Sequence, residues 1–407
     1  MYVGIMHYAA PPVVGGVESV ILSHAQCISS AGHSVRIFAG RGETIDARYP
    51  VDILPLLDSR HPRVLNTKAS LDNGVVPDDF EPLVSQIEHD LDRALTGVDV
   101  LIVHNVASLN KNLALTTALF NMSRKAESPR IILWHHDLAW TTPCYQPELY
   151  DAYPWDLLRT AWPGVTQVVV SEERRKEFSA LTRLSPDAIH VIPAGIDLQS
   201  FLALNKQVHT LATQLNLYHA APLLLTPVRV TKRKNLELAM ETLAHLREHL
   251  PAAQLVITGP LGAHNPANVE YLKKLTSLRK MIGMEGCIHL MAEHVPDGLE
   301  TESVAGFFRL ADAMILPSRE EGFGIPILEA GIAMKPIFCS DLPPLRALAG
   351  VWASYFDPDE KPGKIARMIA QTLTDSATYN LRIKIRNAFT WEAIYQTRIA
   401  PLLNKVN

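Results

Sequence analysis

An α/β fold of two doubly wound domains is what the sequence predicts, on three observations. Short apolar runs alternate with amphipathic stretches along the whole chain. The alternation forms two series, one in each half, separated by the turn-rich stretch VIPAGID, Val191 to Asp197. The chain has 407 residues, more than one core ordinarily organises. Alternating βα units give parallel sheets covered by helices on both faces.

The elements follow in order. Tyr2 to Tyr8 is a short apolar run and predicts the first strand. Val17 to Ala31 predicts a helix, then Ser34 to Ala39 a strand and Glu81 to Leu95 a second helix. Val98 to His104, Arg130 to His135 and Thr166 to Val170 are the remaining strands of this series. The second series has strands at Pro222 to Thr226, Gln254 to Thr258, Ala313 to Pro317 and Pro336 to Ser340. After the first of these, Leu236, Ala239, Met240, Leu243, Leu246 and Leu250 recur at helical spacing, so one face of that helix is buried. The domain limits read as 1–194, 195–388 and a closing segment, 389–407.

Composition narrows the function classes. Hydrophobic residues make up 47% and charged residues 20%, as in ordinary globular domains. A formal charge of −4 makes no electrostatic case for nucleic acid. The four cysteines form no C-x-x-C pair, which argues against a disulfide framework or a structural zinc site and fits a reducing cytoplasm. The stretch MYVGIMHYAAPP reads as a strand, not a signal peptide, and no apolar run reaches about 18 residues. A cytoplasmic location is therefore expected. The basic stretches Arg174 to Lys176 and Arg382 to Arg386 are candidates for a peripheral contact with anionic lipid, against a reading in which they are simply solvated.

In doubly wound sheets, ligands bind outside the carboxyl ends of the strands. That rule selects Tyr8, His104, Asn105 and His136 on one rim. In the second half it selects SREEGFGIPILEAG, residues 318–331. A glycine loop there opens a helix with Pro326 in its first turn, where a missing N–H is harmless. Loop N–H groups beside a helix N-terminus make an anion site. Glu321 and Glu329 would then accept from hydroxyls at either end of a ligand with phosphate in its middle, as in a nucleotide sugar. The same acids also read as ordinary partners of the helix dipole. Arg229 and Lys234 straddle a strand-to-helix turn and could neutralise a diphosphate, or belong to a solvated basic turn with Lys232 and Arg233. Gly15 and Gly16 could offer N–H groups to an anion, or only mark a turn. G-x-G-x-x-G, Walker A, G-x-S-x-G and H-E-x-x-H patterns are all absent. The Asp357 to Asp359 stretch is formally D-x-D, but it reads as a turn far from the phosphate site.

Together these pieces resemble the retaining glycosyltransferases of family 4, which have the GT-B fold. The resemblance spans almost the whole chain. It rests on the E-x7-E stretch EGFGIPILE after ADAMILPS, on Arg229 with Lys234, on VIPAGID, GGVE and the HD of His136, and on FTWEAIYQTRIAPLL near the end. It implies two Rossmann-like domains facing a central cleft, with a C-terminal helix crossing back to the first. It implies transfer of a hexose from a UDP-glucose or GDP-mannose type donor to a glycan, glycolipid or small hydroxylated acceptor, with retention and without metal or other cofactor.

By that resemblance, Glu321 binds the donor sugar and Glu329 the ribose. Backbone groups of Phe323, Gly324 and Ile325 contact sugar and diphosphate. Arg229 and Lys234 stabilise the leaving group, Gly15 and Gly16 approach the phosphates, and His136 meets the sugar near the reaction centre. Tyr8, His104, Asn105, Trp140 and Tyr145 are the acceptor-side candidates, the aromatic ones against a reading in which they only pack the segment 134–162 onto its domain. The chain departs from the family at Met334, where Gly is usual, and at Ala347, where Glu is frequent. Competing readings are a GT-B epimerase or hydrolase acting on nucleotide sugars, and a two-domain binding protein without chemistry.

Overall fold

The computed structural model describes residues 1–261 and 267–404. They form two compact units, Met1–Ile196 with Phe389–Asn407, and Asp197–Ala388. Among the described residues, the first unit holds seven parallel strands: β1 Tyr2–His7, β2 Ser34–Ala39, β3 Val51–Ile53, β4 Val100–His104, β5 Arg130–His135, β6 Thr166–Val169 and β7 Ile189–Val191. Their order is β3-β2-β1-β4-β5-β6-β7. The second holds six: β8 Leu223–Thr226, β9 Gln254–Ile257, β10 Ile288–Leu290, β11 Ala313–Leu316, β12 Ile337–Ser340 and β13 Ser354–Phe356, in the order β10-β9-β8-β11-β12-β13. All pairings are parallel.

Each sheet reverses its winding once, between β1 and β4 and between β8 and β11. The central strands β4, β8, β9, β11 and β12 are buried at every residue. Coverage on both faces is why they read as continuous apolar runs instead of alternating ones. Four strands escape the sequence reading: β3, β7, β10 and β13. Each has three residues and lies at a sheet edge, too short for a period to show.

The closing segment packs on the first unit. Ile394, Ile399, Leu402 and Leu403 join Val3, Ile5, Ile21 and Ile132 in one apolar layer, and Arg130 donates to the carbonyls of Leu402 (3.1 Å) and Leu403 (2.7 Å).

One basic stretch takes on structural work, and the other pairs along its own helix. Arg386 is buried and donates to both carboxylate oxygens of Asp312 at 3.0 Å, while Arg382 donates to Asp312 at 2.9 Å. The Leu223 N–H also donates to Asp312, at 2.8 Å, so this carboxylate ties the start of β8 to the helix Ala377–Ala388. Arg174, Arg175 and Lys176 pair with Glu177, Glu172 and Glu173. The lipid-contact expectation for Arg382 and Arg386 is thus corrected, because their charge is spent inside the second unit. Among the described residues no helix is long and apolar enough to cross a membrane. Asp312→Ala leaves two inward-facing guanidinium groups without their carboxylate. It is expected to destabilise the second unit by about 3–5 kcal/mol, read by urea denaturation; a loss under about 1 kcal/mol would refute this account.

Candidate active site

In the second unit the candidate residues gather at the point where the sheet reverses. The loop after β8 carries Arg229 and Lys234; the loop after β11 carries Ser318 and Glu321. The two loops are laced together. The Arg319 N–H donates to the Arg233 carbonyl at 2.9 Å, and the Arg233 guanidinium donates to the Glu320 carbonyl at 3.3 Å. Across this lacing Lys234 forms an ion pair with Glu321, and both side chains are more than nine-tenths buried. Ser318 Oγ donates to the same oxygen, Oε1, at 2.8 Å. Neither bond uses Oε2. Arg229 lies on the same loop and is exposed.

Glycine is required at two places here. Gly324 has φ 103° at the cap of the helix Ile325–Ile332, and a Cβ would stand 2.6 Å from Leu345 Cδ2. Gly259, just past β9, lets the Val228 carbonyl oxygen come within 2.0 Å of where its Cβ would be. It thereby admits the backbone that leads to Arg229. Sequence reasoning missed it; a glycine directly after a strand was the available signal.

No side chain caps the helix Ile325–Ile332. Its start faces the same rim, with Phe323 and Ile325 exposed and Glu329 half-buried in the second turn. Burial raises the Glu329 pKa above the ordinary carboxylate value.

The Asp357–Asp359 stretch is a turn, with Asp357 accepting from the Asp359 N–H at 2.8 Å. It is not remote, however. Asn235 donates to the Pro358 carbonyl at 3.0 Å, and Arg319 pairs with Asp359 at 2.5 Å. The turn braces the Lys234 loop, so the expected distance is corrected.

In the first unit His136 follows β5 and is held at two levels. Asn105, in the left-handed region at φ 59°, accepts from the N–H groups of His136 (2.8 Å) and Asp137 (3.2 Å) through Oδ1. The His136 ring meets His104, with Nε2 at 3.1 Å from His104 Nδ1. His7 Nδ1 donates in turn to the His104 carbonyl at 2.8 Å. Burial, with smaller contributions from His7 and His135, lowers the His136 pKa to about 4. The ring is neutral at pH 7.

The sequence places Tyr8, His104 and Asn105 on an acceptor rim; the structure buries all three. They support the rim from below and are not open to a ligand in this form. Trp140 and Tyr145 are partly buried. Arg159 covers one face of Trp140 at 4.1 Å from the ring centre, and Lys111 one face of Tyr145 at 5.0 Å. The Trp140 N–H is used by the Trp155 carbonyl at 3.2 Å. Packing accounts for much of this aromatic segment. Gly15 caps the helix Gly16–Ser30, and Gly16 is exposed with open space where a Cβ would be.

Comparison with known proteins covers both units. The family model described as Glycosyltransferase Family 4 matches residues 14–200, and that described as Glycosyl transferases group 1 matches residues 209–389. Mannosylglucosylglycerate synthase of Petrotoga mobilis is 24% identical over 366 residues, covering 84% of this chain and 83% of that protein. MMP alpha-(1->4)-mannosyltransferase of Mycolicibacterium hassiacum is 23% identical over 413 residues, covering 93% and 88%. Among solved structures, sucrose-phosphate synthase from Thermosynechococcus elongatus aligns at 16% identity with a TM-score of 0.38, covering 99% of this chain and 98% of that one.

Proposed function

The chain belongs to glycosyltransferase family 4, of GT-B fold, and is a hexosyltransferase; from that premise we propose that it moves a hexose from a nucleoside-diphosphate sugar to a hydroxylated acceptor with retention. The observation that carries this is the buried Lys234–Glu321 pair at the reversal of the second sheet, beside an uncapped helix N-terminus. Lysine has three N–H donors, so Lys234 can keep Glu321 and still donate to a phosphate oxygen. Glu321, holding Lys234 and Ser318 on one oxygen, has the other for hydroxyls of the sugar.

The bond that breaks joins the anomeric carbon to the phosphate oxygen. Negative charge develops on the diphosphate, and Arg229, Lys234 and the helix Ile325–Ile332 are proposed to receive it. These groups are the reason to propose that no metal is needed. The acceptor hydroxyl then bonds to the anomeric carbon on the face the diphosphate leaves, and its proton passes to a leaving phosphate oxygen. His136, neutral at pH 7, is proposed to donate to a hydroxyl of the transferred sugar. Glu329 is proposed to hold the ribose hydroxyls, with Gly15 and Gly16 approaching the phosphates. Glycans, glycolipids and small polyols are the acceptor classes this chemistry admits.

The test is incubation with a panel of UDP and GDP sugars and mixed acceptors, following nucleoside diphosphate and new glycoside. Stoichiometric glycoside with an unchanged anomeric configuration supports the proposal. Nucleoside diphosphate without glycoside across the panel refutes transfer in favour of hydrolysis or epimerisation. Glu329→Gln is expected to raise the donor KM about ten-fold with kcat within about two-fold, as for an interaction equal in ground and transition states. A fall in kcat at unchanged KM would contradict the ribose role.

A further inference from the structure

The imidazoles behind His136 decide more than its position. His104 is fully buried, its Nδ1 lies 3.1 Å from His136 Nε2, and its own Nε2 has no partner. One proton sits between the two rings, so two neutral arrangements compete. If His136 donates, His104 must carry its proton on Nε2, where a buried N–H finds no acceptor. If His104 donates through Nδ1, the orphaned atom is only a bare lone pair. Orphaned buried donors are the rarer and costlier of the two.

We infer that His104 is a positioning residue that holds His136 as its Nδ1–H tautomer, so that the outward ring atom meets a ligand as a hydrogen-bond donor. The surroundings agree with a neutral pair. His7 uses its Nδ1–H on the His104 carbonyl. His24, Trp134 and Trp391 complete the enclosure, with His24 ring centres 5.2 Å from His104, 4.5 Å from Trp134 and 5.3 Å from Trp391. The groups that act on the His104 and His136 rings are other imidazoles, which disfavour a charge on either, while Glu18 acts on His7. The Asn105 bonds fix the His136 backbone independently of His104. Loss of the His104 donor therefore changes the tautomer and leaves the ring in place. This extends the proposed role of His136 by stating which atom acts and in which sense.

Two variants separate the hydrogen bond from packing. In His104→Asn the amide nitrogen takes the place of Nδ1 and can donate to His136 Nε2. In His104→Leu the volume is similar and nothing donates. In the ligand-free wild type, 15N NMR of labelled histidine is expected to show His136 protonated at Nδ1. His104→Asn keeps that signature, and His104→Leu moves the proton to Nε2. With a donor and acceptor identified, His104→Leu is expected to lose about ten-fold in kcat with the donor KM little changed, and His104→Asn to stay within about three-fold of wild type. His136 protonated at Nε2 in the folded wild type overturns the inference, whatever the activity. The expected tautomers with equal activity of both variants would uphold it and remove His136 from the proposed reaction instead.

Discussion

Lys234→Met is expected to lower kcat/KM by about a thousand-fold and also to destabilise the second unit by about 3–5 kcal/mol. The two effects share one cause. Glu321 is paired with Lys234 in a setting where both side chains are less than a tenth exposed. Removing the cation leaves a carboxylate with only Ser318 to hold it, and a buried charge without its partner is what makes such breaks severe. An inactive Lys234→Met alone would not tell chemistry from folding. The double variant Lys234→Met with Glu321→Gln separates them, because it removes both charges and keeps an amide oxygen for Ser318. Its denaturation midpoint is expected to return most of the way to wild type, while transfer stays lost. A double variant as unstable as Lys234→Met would mean the two charges are not coupled. Lys234→Met with more than about a tenth of wild-type kcat/KM would remove the leaving-group role.

This pairing marks where the sequence stops being informative. The acids, the glycine loop and the two cations are visible as types and spacings, and the doubly wound pattern puts their loops at the carboxyl ends of strands. That Lys234 and Glu321, 87 positions apart, share a bond follows only from β8 and β11 being neighbours across the reversal. Strand order is a property of the assembled sheet and leaves no local period. The same limit explains Arg382 and Arg386. Their basic run looks like a solvated face until the helix docks and delivers both guanidinium groups to Asp312. Asn105 and His104 were legible as rim positions but not as supports. The distinction depends on burial, which loops near a strand end do not encode. The edge strands β3, β7, β10 and β13 were lost for want of length alone.

Acid should unfold the first unit over a pH range that its buried histidines set. His24, His135 and His136 are held neutral by burial, with pKa values lowered to about 3, 4 and 4; burial also lowers His104 and His7. In the unfolded chain each protonates near 6.5. Below that pH the unfolded state binds protons the folded state refuses, so stability falls as pH drops from about 6.5 towards 4, and is flat above 6.5. Each such histidine contributes a slope of about 1.4 kcal/mol per pH unit. Carboxylates add their own loss at lower pH, so the histidine share needs a variant to expose it. His24 is the one to change: it is fully buried, and neither ring nitrogen has a partner. In His24→Leu the packing change is the same at every pH, whereas the protonation penalty disappears. Relative to wild type, the variant should therefore be more stable at pH 5 than at pH 8 by about 2 kcal/mol. A difference that does not change with pH would mean that His24 finds a proton-stabilising partner in the folded protein. The neutral imidazole cluster around the His104–His136 pair would then lose one wall.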